Sequence, residues 1–336
     1  MEENEIFKYL NPKENQSLLQ MQGRELQELI YYLNNFYLTL RDTLNFSRKT
    51  TFGMEIEFEE AKKQEITNAL VKDNLNEKWF IKDDGSLSNG GEIATPVFHD
   101  EPKTWHDLAR VCSILRNNSS IVEYAGGHIH VGTPVLGSNK NSWLNFIKIW
   151  SIYENIIFRF SYGEYLTPRR EIKDYALPMK KDFNKVYDEL KEKSDFSAYS
   201  VVRELNFRKH QAVNFQHVSH FDQFHMKNTI EFRCPNGTLD PVIWQNNLNL
   251  FVKLLKYARS DKFNNDILDE RKKFNDSIFA DYDHYNNIFL TQALEFADLI
   301  FDNNLDKIYF LRQYLKNYEI GNLPLEKAKL FTKTLI

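Results

Sequence analysis

In three short stretches of this chain apolar and polar positions alternate residue by residue, and in several longer ones apolar positions recur every three or four. In "TTFGMEIEFE" (50–59), Met54, Ile56 and Phe58 alternate with Glu55 and Glu57. In "GHIHVG" (127–132), Ile129 and Val131 alternate with His128 and His130, and in "TIEFRC" (229–234), Ile230 and Phe232 alternate with Glu231 and Arg233. A period of two predicts strands with one apolar and one polar face. "KWFIKD" (78–83), "GEIATPVF" (91–98) and "HQAVNFQHV" (210–218) are further strand candidates, with "DDGS" and "SNGG" as turns. The helical period predicts an amphipathic helix or helix pair over 17–46 (Leu26, Ile30, Leu33, Tyr37, Leu40, Leu44) and helices at 102–117 and 139–162. Asp240-Pro241, a cap followed by a first-turn proline, predicts a helix over 241–258. From 262 onward the chain reads helical, most clearly in "IFLTQALEFADLIF" and "LDKIYFLRQYLKNY". The expected fold class is α+β: about six strands, mostly antiparallel, flanked by helices. The expected organisation is a helical N-terminal extension (1–48), a body carrying the strands (49–260) and a C-terminal helical region packed on it (261–336).

Composition narrows the function classes. With 42% hydrophobic and 14% aromatic residues over 336 positions, the chain has material for a large core. A formal net charge of −4 and the lack of a basic stripe argue against nucleic acid as a partner. Cys112 and Cys234 are too few for a disulfide framework or a thiolate zinc site. The acidic start "MEENEIFKYL" and the lack of a long apolar run lead us to expect a cytoplasmic protein with no membrane segment.

The polar faces of the three alternating strands carry the chemistry. Glu55/Glu57, His128/His130 and Glu231/Arg233 are each spaced i, i+2, so each pair looks to one side. Each pair alone has a plain structural account: a solvated strand face, hydrogen-bonded histidines, a cross-strand charge ladder. Gly126, Gly127 and Gly132 around the histidines favour close backbone approach and a functional role. Three such pairs in one chain are not explained by independent solvated faces. With Glu92 they would give one sheet face four glutamates, two histidines and an arginine, which calls for cations. Hard divalent ions such as Mg2+ bind through a few carboxylates together with substrate phosphates, so the expected ligand is a nucleoside triphosphate. Arg233, Arg169, Arg170 and Arg208 are candidate phosphate clamps, although an Arg-Arg pair in a loop is more often solvated. His210, His217, His220 and His225 lie in a polar stretch and read as surface or supporting residues.

"TFGMEIEFE", "DDGSLSNGGEIATPVF", "AGGHIHVG" and "NTIEFRCPNGTLD", in this order, resemble the amidoligases of the glutamine synthetase-like carboxylate–amine ligase superfamily, which also contains the glutamate–cysteine ligases. The similarity spans about residues 50–255. It implies an antiparallel sheet curved into a funnel that holds ATP and Mg2+, with Mn2+ as an alternative ion. By motif match it implies metal binding by Glu55, Glu57, Glu92, Glu231 and His128, and catalytic roles for Arg233, Glu57 and His130. Nucleotide contacts are implied for His128, Arg169, Arg170 and Arg208, the arginines by a looser match. For the turn acid Asp84 the resemblance leaves two roles open, metal binding or orientation of Ser86. The implied reaction joins a carboxylate to an amine through an acyl phosphate; whether either partner is an amino acid, a peptide or a protein is left open, as is oligomeric state. Two other readings stand beside it: a metal-dependent hydrolase built on His128 and His130, and a non-catalytic binding protein on the same scaffold.

Overall fold

The computed structural model describes residues 4–85, 87, 89–118, 120, 122, 125–170, 172–205, 209–221, 227–275 and 285–316. Six strands form one sheet: β1 (Phe52–Phe58), β2 (Phe80–Lys82), β3 (Gly91–Ala94), β4 (Gly127–Gly132), β5 (Val213–Asn214) and β6 (Thr229–Phe232). Their spatial order is β2-β3-β1-β4-β6-β5, and every neighbouring pair is antiparallel. All six lie inside stretches whose composition predicts strands, although "HQAVNFQHV" contributes only two strand residues.

Twelve α-helices stand among the described residues: α1 (Glu5–Tyr9), α2 (Arg24–Asn34), α3 (Lys63–Lys72), α4 (Pro102–Asn117), α5 (Lys140–Ser161), α6 (Ile172–Tyr175), α7 (Lys180–Leu190), α8 (Ala198–Leu205), α9 (Pro241–Arg259), α10 (Asn265–Asn275), α11 (Leu290–Ile300) and α12 (Asn304–Leu315). α4, α5 and α9 follow the sequence expectation closely, and Asp240 caps α9 by accepting from the Val242 amide at 2.8 Å. α5 is buried along nearly its whole length, because helices cover it on several sides. None of these helices is long and apolar enough to cross a membrane. The expected helix over 17–46 is corrected: only Arg24–Asn34 is helical. Residues beyond it are drawn into non-helical backbone by tertiary partners. The Arg41 amide donates to Gln245 Oε1 at 2.9 Å, and the Leu44 and Phe46 amides donate to the Asp100 carboxylate at 2.9 Å. α3, α7 and α8 were not expected; Ile66/Leu70, Phe183/Val186/Leu190 and Val201/Val202/Leu205 give them buried stripes at helical spacing. The C-terminal residues beyond 316, expected to be helical, lie outside the described residues.

The apolar face of the sheet receives α4, α5 and α9. Phe232 stacks on Phe251 of α9 with ring centroids 4.1 Å apart, Trp150 of α5 lies 5.9 Å from Phe232, and Trp105 of α4 lies 5.5 Å from Phe52. Gly127 lets α9 come close to the sheet: a Cβ there would sit 2.4 Å from the Trp244 ring. A single apolar cluster runs from Ile6 through the sheet to Leu315. With that side filled, the alternate residues of each strand must face the opposite way.

Candidate active site

Register decides which polar pairs meet. Glu55 lies opposite His128, Glu57 opposite Glu92, His130 opposite Glu231, and Asn214 opposite Glu231 on the other side. Directly opposed residues share a face, so β3, β1, β4, β6 and β5 deliver one continuous polar row. The row lines a hollow of about 590 Å³ that includes Glu55, Glu57, Glu92, His128, His130, Arg169, Glu231 and Arg233. That volume falls in the small-molecule range of about 300–1,000 Å³.

His128 is the hub. Its Nδ1 is 2.8 Å from Glu55 Oε2 and 3.6 Å from Glu231 Oε1, while its Nε2 is 3.4 Å from Glu57 Oε1. His130 Nε2 lies 3.4 Å from Glu55 Oε1, and its Nδ1 is 3.2 Å from Thr229 Oγ1. Glu231 accepts from Asn214 Nδ2 at 2.7 Å and from Arg233 Nη1. Arg233 also donates through Nε to the Tyr175 carbonyl at 3.2 Å.

Glu57 accepts from the Gly126 amide at 2.5 Å, and Gly126 has no room for a side chain: a Cβ would lie 2.8 Å from both Glu57 Oε2 and Arg169 Cζ. The glycine therefore lets a buried arginine and a carboxylate close on the same stretch of backbone. Arg169 is fixed there through its amide to Asn236 Oδ1 at 2.9 Å, through Nη1 to the Pro235 carbonyl, and through Nη2 to the Arg233 carbonyl at 3.3 Å.

The electrostatics follow from this crowding. Burial pushes Glu55 upward, but the close approach and charges of His128 and His130 prevail and hold it far below the usual carboxylate range. Burial also pushes Glu231 upward, and His128, His130 and Arg233 bring it below its ordinary value. For His130, burial disfavours the cation, yet Glu55 and Glu231 outweigh it and raise the imidazole. Glu92 is raised by burial and by the charge of Glu55, although Lys82 donates to it at 3.0 Å.

Two groups of side chains have the chemistry of a hard-cation site. Ligand atoms of Glu55, His128 and Glu231 lie within 4.8 Å of one another, and so do those of Glu57, Glu92 and His128. Nε2 of both histidines is buried without a hydrogen bond, as expected of atoms that await a further partner. The donor set, two carboxylates and one imidazole in each group, fits a divalent cation.

The expected arginines separate. Arg169 is buried and lines the hollow; its neighbour Arg170, expected beside it, is exposed and is not among the lining residues. The backbone turns between them, with Arg169 held by Asn236. Arg208, Ser86 and His225 lie outside the described residues. Asp84 lines the hollow. His210 and His217, read from sequence as surface or supporting residues, also line it, as do Lys82, Asp83, Tyr175, Lys209, Asn214 and Gln216, which sequence reasoning missed. Of these, Asn214 had a legible sign, because it alternates with Val213 and Phe215 as the glutamates alternate with their apolar neighbours.

No curated protein matches the sequence. A family model described as "Putative amidoligase enzyme" matches residues 71–255, more than half of the chain and most of the sheet. On that match, which begins after β1, the chain belongs to the amidoligase family, the enzymes of which are ligases that form amide bonds.

Proposed function

We propose that this protein is an ATP- and Mg2+-dependent carboxylate–amine ligase working through an acyl phosphate, with the polar face of the sheet as the inner wall of a glutamine synthetase-like funnel. The observation that carries this is the convergence of Glu55, Glu57, Glu92, Glu231, His128, His130 and Arg233 on one hollow from four adjacent strands and the residue after β6. Glu55, His128 and Glu231, or Glu57, Glu92 and His128, would hold a divalent cation, Mg2+ or Mn2+; a neutral imidazole has one lone pair, so His128 would serve one of the two groups at a time and the other would rely on its carboxylates. Such ions neutralise charge between the β- and γ-phosphates of bound nucleotide.

The chain's own groups supply the rest. Arg233, braced by Glu231 and the Tyr175 carbonyl, presents its guanidinium to the transferring phosphoryl group. Arg169 and Lys209 add positive charge along the triphosphate, and His130 sits beside it. A carboxylate oxygen attacks the γ-phosphorus and ADP leaves; the amine nitrogen then attacks the acyl carbon, and phosphate leaves with its oxygen while the nitrogen loses a proton. A bare carboxylate does not acylate an amine at neutral pH, so activation by phosphorylation is what such a site must provide. The fully antiparallel sheet speaks against the hydrolase alternative, whose metal sites are usually built at strand ends of parallel β/α units. Two free, buried cysteines suit the cytoplasm as the place of work.

The test is incubation with ATP, Mg2+ and a panel of amino acids and peptides, read by mass and by ADP release. An amide product formed with stoichiometric ADP, and thermal protection by ATP only with Mg2+, are the expected results. Metal-dependent hydrolysis of the panel without nucleotide would replace this proposal with the hydrolase.

A further inference from the structure

A second hollow of about 400 Å³ adjoins the first and shares Glu55, Lys82, His130 and His217 with it. Its floor is Gly53. On β1, Gly53, Glu55 and Glu57 point to the same face, and Gly53 lies opposite His130, so the polar row stops there and leaves the sheet bare. The backbone does not demand glycine: its φ is outside the left-handed region, and the nearest atom to an added Cβ would be Thr95 Oγ1 at 3.4 Å. What glycine supplies at this position is space beside His130.

The two hollows differ in charge. Among the described residues, six carboxylates and four Lys or Arg cations line the first. Among the described residues of the second, Glu55 at the shared rim is the one carboxylate, against Lys227 and against Lys82, which also donates to Glu92 at 3.0 Å, with the hydroxyl-bearing Thr51, Thr95 and Thr229 around them. Ala94, Pro96 and Val97 give it an apolar wall, and exposed Phe80 lies opposite Ala94 in the strand register.

We propose that the second hollow admits the carboxylate substrate, as a carboxylate on an uncharged aliphatic stem, and delivers it to the γ-phosphate at the junction beside His130. This rests on the ligase function proposed above. Both reactants of the first step are anions, and like charges repel most in a site with little water. A carboxylate entering through the first hollow would pass the glutamates and the triphosphate; one entering over Gly53 passes lysines and hydroxyls and meets the phosphoryl group from the far side. There the attacking oxygen forms its bond to the γ-phosphorus while the bond to the bridging oxygen breaks, and that electron pair leaves with ADP. The apolar wall accounts for the stem.

Gly53→Cys tests it, because Cys112 and Cys234 are both buried and a thiol reagent added to the folded protein will report on position 53. Labelling rates with the anionic sulfonatoethyl and the cationic trimethylammonioethyl methanethiosulfonate are compared after division by their rates with free cysteine. The anion is expected to be favoured several-fold, and Lys227→Met to reduce that preference. Pentanoate is expected to slow labelling where pentylamine does not, and the labelled protein to keep its thermal protection by Mg2+-ATP. Preference for the cation, protection by the amine, no effect of pentanoate, or loss of Mg2+-ATP protection on labelling would each overturn the proposal. If unmodified protein is not protected by Mg2+-ATP, the ligase function itself fails, which is a separate result. Should Gly53→Cys not fold, Val97→Cys, at an exposed position on the same wall, takes the same measurements.

Discussion

His128 touches three of the four site glutamates, so its environment is set by charges that the strands hold in place rather than by solvent. Glu231 is the most constrained of those glutamates, with Asn214 and Arg233 donating to its two oxygens. Glu231→Gln keeps the shape and removes the charge. We expect it to lower ligase turnover and divalent-ion affinity by at least about 10-fold, since loss of even a group that only supports a metal ligand costs about 10–100-fold, while the thermal midpoint moves little. Steady-state ADP release, Mg2+ titration and thermal unfolding check the three parts. Gly126→Ala acts from the backbone side: its Cβ would meet Glu57 and Arg169 at 2.8 Å, so both must retreat. Weaker nucleotide binding with the fold retained is the expected outcome, measured as a smaller thermal shift with Mg2+-ATP.

Among the elements, α5 does more than cover the sheet. Its Glu154 accepts at Oε2 from the Met179 amide at 2.6 Å and the Lys180 amide at 2.9 Å, where α7 begins without a side-chain cap of its own. Trp150 Nε1 donates to the same oxygen at 2.9 Å, and the Tyr285 hydroxyl donates to Oε1 at 2.6 Å. One carboxylate thus caps α7 from a different helix. Glu154→Ala would leave four donors facing an apolar interior and is expected to cost at least about 3 kcal/mol, since each unpaired buried group costs roughly 1–3 kcal/mol. Glu154→Gln keeps an acceptor for the three Oε2 donors and should cost far less; urea unfolding separates the two.

Glu154 also gives the fold a pH dependence. Burial raises its pKa, and the four donors offset that only in part. A carboxyl raised in the folded state holds its proton longer than in the unfolded chain. Its contribution is therefore full below the unfolded value of about 4.3 and is lost as pH rises through the folded value. Unfolding free energies measured upward from pH 4 should fall less steeply in Glu154→Gln than in the parent.

At the scale of the whole molecule, the N-terminal segment is sewn to the C-terminal helices. Asp298 of α11 accepts from the Ser17 hydroxyl at 2.9 Å and the Leu18 and Leu19 amides at 3.0 and 2.9 Å, and Lys307 of α12 bridges Asp298 and the Gln16 carbonyl at 2.7 Å. Asn304 adds bonds to the Asn11 carbonyl and the Gln16 amide, both at 2.9 Å. Asp298→Ala is expected to lower stability by about 2–4 kcal/mol, as for loss of several hydrogen bonds to a charged acceptor, and to open the first twenty or so residues to protease. If limited proteolysis spares that segment, these contacts do not hold it.

The polar pairs were legible because strand geometry fixes them locally: any strand through Glu55–Glu57, His128–His130 or Glu231–Arg233 must put each pair on one side. Helices with a strong stripe or a cap, such as α4 and α9, were legible for the same local reason. Residues 36–46 were not, since side chains far along the chain, Gln245 and Asp100, claim their amides. Nor could two adjacent arginines reveal which one a distant asparagine would hold in the site, or His217 its place at the meeting of two hollows. The sequence by itself determined which side chains face together within each strand; tertiary structure decided which strands stand side by side, because register depends on partners separated by tens of residues, and the bare floor at Gly53 exists only where β4 lies next to β1.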